Sequence, residues 1–258
     1  MAATGPQTSP ALWPGRVENA HGAGRIVLVC EHAANAFPEP WGDLGLTAAQ
    51  RQAHIAWDPG ALGLARGLSA ALDSVLVHAP VSRLIHDCNR APDMAGAMPA
   101  RSEIHDIPGN AAISPAERAL RAAAVYAPFH ATLQAVIARH QALGLRPALV
   151  TVHSFTPVWH GEPRSLELGV IHDSDDRLAR AVLAVAGNRT RLRAALDEPY
   201  CAADDVTHTL RLHALPCALP HAMLEIRNDL IATPEAEAAM AATLAPVLLE
   251  ALASLEAG

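Results

Sequence analysis

Short apolar runs alternate with amphipathic helical runs along almost all of the 258-residue chain. Apolar, β-branched runs bounded by Gly, Pro or polar residues predict buried strands. The predicted strands are residues 26–30, 75–79, 81–85, 148–152, 166–171 and 222–226. Strands that alternate with helices predict a three-layer α/β/α domain whose mixed central sheet is mainly parallel.

Helix-capping residues and apolar faces mark the helical runs between these strands. The predicted helices are residues 47–50, 59–72, 114–143, 174–186 and 233–255. Pro128 predicts a kink in the long third helix. Residues 91–110 are rich in Pro, Gly and Met and predict a long loop, a kind of segment that is often functional.

Composition argues against several classes of partner. The chain is 51% apolar, carries a formal net charge of −7 and has no basic stripe, so neither nucleic acid nor an anionic membrane is expected to bind. No signal peptide is recognisable, and we expect a disordered lead-in over residues 1–20 before a single domain over residues 21–258. The apolar tract Ala238–Leu255 contains a proline and a glutamate, which favours a packed helix over a membrane span. Four cysteines without C-x-x-C spacing favour reduced thiols in the cytoplasm.

Polar side chains follow three of the predicted strands. The strand IVLVC ends abruptly in Glu31, His32 and, three residues further on, Asn35. His153 follows a second strand, and Glu225 lies at the end of a third. In parallel sheets ligands bind beyond the carboxyl ends of the strands, so these side chains are expected at one edge. Two histidines with carboxylates there suggest a metal site, and catalytic zinc usually takes three protein ligands and leaves one position for water.

Two carboxylates are candidates for the chemistry, and each has a purely structural alternative. Asp58, in HIAWDPG, is the candidate third ligand, although an Asp directly before a proline also suits a helix N-cap. Pro59 argues against a continuous helix through His54 and Asp58, so a bidentate pair on one helix face is discounted. Glu225 could act as a general base toward a metal-bound water, or it could simply pair with Arg227.

Potential carboxylate-binding residues cluster in the segment SRLIHDCNR. Arg83, Asn89 and Arg90 could grip a substrate carboxylate, because a guanidinium matches a carboxylate in two parallel hydrogen bonds. The alternative is a surface ion pair with Asp87 or Asp93, and spacing alone favours neither interpretation.

Eight segments in a fixed order carry a family resemblance across roughly residues 25 to 232. They are CEHAAN, HIAWDPGAL, SRLIHDCNRAPD, MPARSEIHDIPGN, YAPFH, VTVHSFTPV, DEPY and LPHAMLEIRNDLI. This succession resembles the N-formylglutamate amidohydrolase family, metal-dependent hydrolases similar in fold to zinc carboxypeptidases. The resemblance implies a metallohydrolase domain with one zinc ion per chain. It also implies a reaction that converts N-formyl-L-glutamate to formate and L-glutamate, a step in histidine degradation.

The resemblance also implies roles for individual residues. It implies that His32, Asp58 and His153 hold the metal. Glu225 falls where such enzymes have a general base, and Arg83 is suited to stabilise an oxyanion. The residues expected to bind substrate or line its pocket are Asn35, Asn89, Arg90, Tyr200, His213 and Arg227.

The strand end EHAAN departs from the family pattern, and this leaves the substrate open. Asn35 stands where zinc carboxypeptidases have a glutamate ligand, which favours Asp58 as the carboxylate ligand and leaves Asn35 to shape the loop or donate to substrate. The alternatives are a related N-acyl amino acid deacylase or carboxypeptidase, and a metal-free ligand-binding module that would have no need of Glu225. Glu31 has no role that the sequence assigns.

Overall fold

The computed structural model describes residues 11–256, and most of its strands belong to one sheet. The strands in chain order are β1 Arg16–Glu18, β2 Ile26–Cys30, β3 Val75–His78, β4 Arg101–Ser102, β5 His105–Asp106, β6 Ala148–Phe155, β7 Val158–Trp159, β8 Glu162–Pro163, β9 Leu168–Ile171, β10 Ala194–Leu196 and β11 His221–Arg227. Seven of them form the sheet β1-β3-β2-β6-β11-β9-β10, while β4-β5 and β7-β8 are separate hairpins.

The central strands of the sheet run in one direction. Strands β3, β2, β6 and β11 are parallel to one another, whereas β1 is antiparallel to β3 and β9 is antiparallel to β11. The predicted mixed, mainly parallel sheet is therefore confirmed. Because β2, β6 and β11 are adjacent, the residues at their carboxyl ends meet at one edge.

Helices cover both faces of this sheet. They are α1 Ala48–Gln52, α2 Ala61–Leu72, α3 Pro108–Ala111, α4 Pro115–Arg121, α5 Ala127–Ala142, α6 Arg177–Arg189 and α7 Pro234–Ser254. Helices α2, α6 and α7 contribute to the apolar core on one face, and α5 contributes to the core on the other. The arrangement has the three layers that the alternation of strands and helices predicts.

The central strands are continuously apolar because they are buried on both faces. Leu28 and Val150 lie in the core shared with α2 and α7, whereas their neighbours Val29 and Leu149 lie in the core shared with α5. All residues of β2 and β6 are buried. Successive side chains of a strand point to opposite faces, so one unbroken apolar run supplies both cores.

Two of the predicted boundaries are wrong. Residues 16–18, expected in a disordered lead-in, form the edge strand β1, which pairs antiparallel with β3; residues 1–10 of that lead-in lie outside the described part of the chain. Residues 81–85, expected to be a strand, form turns instead. Val81, Leu84 and Ile85 still pack into the apolar core, and this burial gives the segment its strand-like composition.

The long predicted helix is divided in the structure. Helices α4 and α5 are joined by one π-helical turn, Ala122–Tyr126, and Pro128 lies in the first turn of α5, where a missing N–H costs little. The predicted long loop at 91–110 contains the hairpin β4-β5 and the start of α3. That hairpin adjoins the functional cleft described below.

Helix α7 is long and apolar enough to cross a membrane, with a mean hydropathy of 1.5, but 44% of that stretch is buried inside the protein. Its buried side includes Leu244, Val247, Leu248 and Ala251, which belong to the core shared with α2 and α6. These contacts fit a packed helix of the fold, as the sequence predicts.

Candidate metal centre

The predicted metal ligands come from three elements that meet at the carboxyl edge of the sheet. His32 lies two residues beyond β2, and His153 lies within β6, the neighbouring strand. Asp58 lies in the loop before α2, where its backbone N–H donates to the His32 carbonyl at 2.9 Å. The N-cap of α2 is Gly60, with φ of 79°, so Asp58 does not have the capping role that its position before Pro59 suggested.

The three side chains bring their donor atoms together. His153 Nδ1 lies 2.8 Å from Asp58 Oδ2 and 3.1 Å from His32 Nδ1. His32 Nδ1 lies 3.2 Å from the same Asp58 oxygen. One donor atom from each residue falls in a group within 4.8 Å, and all three residues are buried. Two imidazole nitrogens and one carboxylate oxygen form a donor set typical of catalytic zinc.

A second carboxylate lies close to the far nitrogen of each histidine. His32 Nε2 lies 2.8 Å from Asp87 Oδ1, and His153 Nε2 lies 3.1 Å from Glu31 Oε2. Both carboxylates are almost fully buried. Metal-binding histidines commonly face a carboxylate in this way, which fixes the ring orientation and leaves the other nitrogen for the metal.

The sequence prediction missed both of these carboxylates. Glu31 had no assigned role, and Asp87 entered only as a surface partner of an arginine, although it is buried. The available signal for Glu31 was its place directly after a fully buried strand, where a charged residue requires a buried partner. For Asp87, its partner His32 is 55 residues away, and no local pattern reveals such a contact.

The charges around the histidines favour a cation. Although burial opposes ionisation, His32 and His153 hold the pKa of Asp58 well below its usual range. Burial likewise opposes the charge on His153, but Glu31 and Asp58 raise the pKa of that imidazole well above its usual value. Three buried carboxylates, Glu31, Asp58 and Asp87, thus surround the histidines. The residues present therefore fit a divalent metal in both donor chemistry and charge.

Arg83 supplies the positive charge next to this group. Its guanidinium donates to Asp87 Oδ2 at 2.9 Å and lies 3.4 Å from Asp58 Oδ1. Burial opposes the charge, but Asp87 and Asp58 raise the pKa of Arg83. The ion pair with Asp87 that the sequence offered as an alternative therefore forms, but it lies inside the site and not at the surface.

Glu225 lies in β11 directly beside His153, with which it is in register across the two strands. Its side chain is 5% exposed, and burial raises its pKa to about 8, with Asp58 adding to the rise. Gly169 faces it on β9, where the Glu198 carbonyl oxygen leaves no room for a Cβ. The close approach of that segment brings Tyr200 into the same cleft.

These residues line a cleft of about 340 Å³ at the carboxyl edge of the sheet. The predicted residues that line it are His32, Asp58, Arg83, Asn89, Arg90, His153, Tyr200 and Glu225. Further lining comes from His54, Ser102, Glu103, Trp159, Asp204 and Met223, among others. His54, which was discounted as a metal-binding partner, has its Nδ1 3.5 Å from Asp58 Oδ1, and burial lowers its pKa to about 4.

Asn89 has a structural task in addition to its place in the cleft. Its side-chain amide donates to the Val206 carbonyl, and its side-chain oxygen accepts from Thr209 N at 3.0 Å. Arg90 donates to the Asn89 carbonyl at 2.9 Å and is half-buried. Of the two, Arg90 has more donor capacity left for a ligand.

Three of the predicted substrate-binding residues are not among the residues that line the cleft. Asn35 donates to the Arg51 carbonyl at 3.1 Å, which fits the alternative of shaping the loop. His213 is buried against His130, and Arg227 pairs with Asp229 at 2.8 Å. Each of these side chains is thus engaged with another residue outside the cleft, and its contact with substrate stays a prediction.

Comparison with known proteins places the chain in a family. The family model for N-formylglutamate amidohydrolase matches residues 24–232. The crystal structure of gene product Atu2144 from Agrobacterium tumefaciens is 49% identical, with a TM-score of 0.92 over 95% of this chain and 96% of that one. The crystal structure of N-formylglutamate amidohydrolase from Ralstonia eutropha JMP134 is 18% identical, with a TM-score of 0.65 over 96% of this chain and 100% of that one, and supports the fold. No curated protein matches significantly. By its family model and its fold, the chain belongs to the N-formylglutamate amidohydrolase family.

Proposed function

We propose that the protein is a zinc-dependent amidohydrolase that removes the formyl or another acyl group from an N-acylated amino acid. The observation that carries this proposal is the convergence of His32 Nδ1, His153 Nδ1 and Asp58 Oδ2 in a cleft that also contains Glu225. Family membership supports the reaction class, and N-formyl-L-glutamate, which would yield formate and L-glutamate, is the substrate that the family name favours.

The chemistry would combine a metal with residues of the chain. When bound by His32, Asp58 and His153, a divalent metal would polarise the scissile carbonyl and lower the pKa of a water from about 15.7 toward about 7. Glu225 accepts a proton from the water as its oxygen adds to the carbonyl carbon. The C–N bond then breaks, and Glu225 returns the proton to the leaving amine.

Two arginines have separate tasks in this proposal. Arg83, fixed by Asp87 and Asp58, faces the oxygen on which negative charge grows. Arg90, at the wall of the cleft, binds the substrate α-carboxylate. Asn89 holds Arg90 in place through its hydrogen bond with Thr209 N. We place the reaction in the cytoplasm, as part of histidine degradation if the substrate is N-formyl-L-glutamate; the four free cysteines are consistent with a reducing compartment.

Formate release from N-formyl-L-glutamate, with metal content measured on the same samples, tests this function. Wild type should release formate, whereas Glu225→Gln should lose about 10²- to 10⁴-fold in kcat while retaining the metal. Glu250→Gln, at an exposed position of α7, is the matched control and should keep full activity. If no N-acyl amino acid is hydrolysed by zinc-replete wild type, the proposal fails and the metal-free binding module takes its place.

A further inference from the structure

Arg164 lies at the border of the cleft, directly after the hairpin β7-β8. Its guanidinium carbon Cζ lies 4.8 Å from the centre of the Trp159 ring and 5.6 Å from the centre of the Tyr200 ring. Trp159 and Tyr200 both line the cleft. The same carbon also lies 5.5 Å from the centre of the fully buried Phe155 ring. Three aromatic rings therefore hold this guanidinium beside the cleft.

The N–H donors of Arg164 are largely free for a ligand. Arg164 has no carboxylate within 4.0 Å in residues 11–256, and its Nη1 donates to the Thr156 carbonyl at 3.4 Å. A guanidinium carries five N–H donors, and an aromatic face attracts the cation without using any of them. The rings therefore fix the position of the guanidinium and leave its charge uncompensated.

The positive charge of Arg164 acts on groups inside the cleft. Burial raises the pKa of Tyr200, and Arg164 opposes that rise. Burial also raises the pKa of Glu225 to about 8, and Arg164 is among the charges that oppose the rise. At His54 burial lowers the pKa to about 4, and Arg164 adds to the fall. Because these three residues belong to different segments that all line the cleft, the guanidinium is close to the space that they enclose.

The backbone of Arg164 is fixed through both of its polar groups. Its N–H donates to the Pro157 carbonyl at 2.8 Å, and its carbonyl accepts from Arg227 Nη1 at 3.0 Å. Arg227 is itself paired with Asp229 at 2.8 Å. Arg227, for which the sequence predicts contact with substrate, thus holds the segment that carries Arg164.

Arg83, Arg90 and Arg164 differ in how far their charge is compensated. Arg83 lies within salt-bridge distance of two buried carboxylates of the metal centre. Arg90, like Arg164, has no carboxylate within 4.0 Å in residues 11–256. Glu103 and Asp204, which also line the cleft, are therefore both farther than that from either guanidinium. Arg90 and Arg164 together match a ligand that carries two carboxylates.

We propose that Arg164 is a second carboxylate-binding residue of the cleft and gives the enzyme a preference for N-acyl amino acids with an acidic side chain. This proposal rests on the proposed function and names the residue that sets its substrate class. The substrate α-carboxylate pairs with Arg90, and the side-chain carboxylate pairs with Arg164. Because the rings of Trp159 and Tyr200 already hold the guanidinium, little of its freedom is lost when the carboxylate binds.

Binding to Glu225→Gln, in which turnover is expected to be slow, tests this assignment. The zinc-replete variant is examined by isothermal titration with three ligands. They are N-formyl-L-glutamate, N-formyl-L-glutamine, which lacks the side-chain charge, and the α-amide of N-formyl-L-glutamate, which lacks the α-carboxylate charge. N-formyl-L-glutamate should bind about 10- to 100-fold more tightly than either amide, because each amide loses one charged hydrogen-bonded pair.

Two further substitutions assign each carboxylate to its arginine. Adding Arg164→Gln should bring the dissociation constants of N-formyl-L-glutamate and N-formyl-L-glutamine close to each other and leave the preference over the α-amide unchanged. Adding Arg90→Gln should have the opposite effect. Arg146→Gln, at an exposed position two residues before β6 that does not line the cleft, should change neither preference.

The outcomes separate this proposal from the function on which it rests. A preference over N-formyl-L-glutamine that survives Arg164→Gln overturns the proposal, and an equal loss of affinity for all three ligands would make Arg164 only a brace of the hairpin. Absence of binding by all three ligands overturns it as well. Formate release by wild type decides the function separately, so a preference that depends on Arg164 without formate release would contradict the function alone. If the thermal melt shows that Arg164→Gln does not fold, Arg164→Met provides the same comparison.

Discussion

The protein contains two buried histidine pairs whose surroundings differ in kind. His32 and His153 approach to 3.1 Å, and His130 and His213 approach to 2.8 Å. Carboxylates surround the first pair and raise the pKa of His153 well above its usual value. Burial dominates at the second pair and lowers the pKa of His130 to about 3 and that of His213 to about 4.

Hydrogen bonding also distinguishes the two pairs. His130 Nε2 donates to the Cys88 carbonyl at 2.9 Å, and a carbonyl can only accept. His130 Nδ1 must therefore accept from His213 Nε2, which leaves each ring neutral with one proton. In the first pair both Nε2 atoms face carboxylates, so both Nδ1 atoms are available to a metal. His130 and His213, which are buried without carboxylates, therefore form a structural pair. His32 and His153, which are buried and oriented by carboxylates, form a candidate metal centre.

The largest expected effect comes from removing one imidazole of each pair. His153→Ala removes a proposed ligand, so we expect its hydrolysis rate to fall on the order of 10³-fold or more at saturating zinc. His130→Gln removes only a structural contact and should retain activity within about threefold per folded molecule. The measurement is formate release, with the folded fraction of each variant taken from its thermal melt. Equal losses in both variants would contradict the distinction between the pairs.

The next-largest effect is expected at Arg83, which pairs with Asp58 and Asp87 beside His32 and His153. Arg83→Lys loses the fork that spans Asp58 and Asp87, and we expect kcat to fall about 10²- to 10³-fold because oxyanion stabilisation is lost. Arg90→Lys should instead raise KM with a smaller change in kcat, since it weakens substrate binding. Steady-state kinetics on metal-saturated protein separates these results, and the opposite split would reverse the two roles.

A smaller effect is expected for the carboxylates that orient the histidines. Glu31→Gln and Asp87→Asn keep the shape of each side chain but remove its charge, and we expect metal affinity to fall about 10- to 100-fold. Competition with a chelator of known affinity measures this directly. Asp229→Asn, which alters an exposed partner of Arg227, should leave metal affinity unchanged. Unchanged affinity in both Glu31→Gln and Asp87→Asn would remove these residues from the centre.

The smallest effect concerns the second pair and acts on stability. Because the folded-state pKa of His213 lies below the unfolded value of about 6.5, its contribution is complete above pH 6.5 and is lost as the pH falls toward about 4. We expect His213→Gln to lose about 1–2 kcal/mol less free energy of unfolding than wild type between pH 7 and pH 5. Urea denaturation at both pH values measures this, with exposed His21→Gln as a control. An unchanged loss would show that His213 is not held neutral.

The sequence was sufficient to predict the sheet and the edge at which polar side chains meet, because both follow from local patterns, whereas the metal-ligand role of His32, Asp58 and His153 is implied by the family resemblance and stays a prediction. Continuous apolar runs identify doubly buried strands, and parallel strands deliver their last residues to one edge, which predicts the meeting of His32, His153 and Glu225. The contacts of Glu31 and Asp87 with the histidines could not be predicted, because they depend on which side chains meet in three dimensions at the sheet edge. The prediction of a strand at residues 81–85 is wrong because these residues are apolar and buried but pair with no strand. Their apolar composition reflects only their packing in the core.

Metal content is the measurement that most directly tests the distinction between the two histidine pairs. Zinc per chain should be determined by elemental analysis for wild type, His153→Ala and His130→Gln purified side by side under zinc-replete conditions. The predicted result is about one zinc in wild type and His130→Gln and almost none in His153→Ala. Zinc that is absent from wild type, or that persists in His153→Ala, would contradict a metal centre at His32, Asp58 and His153.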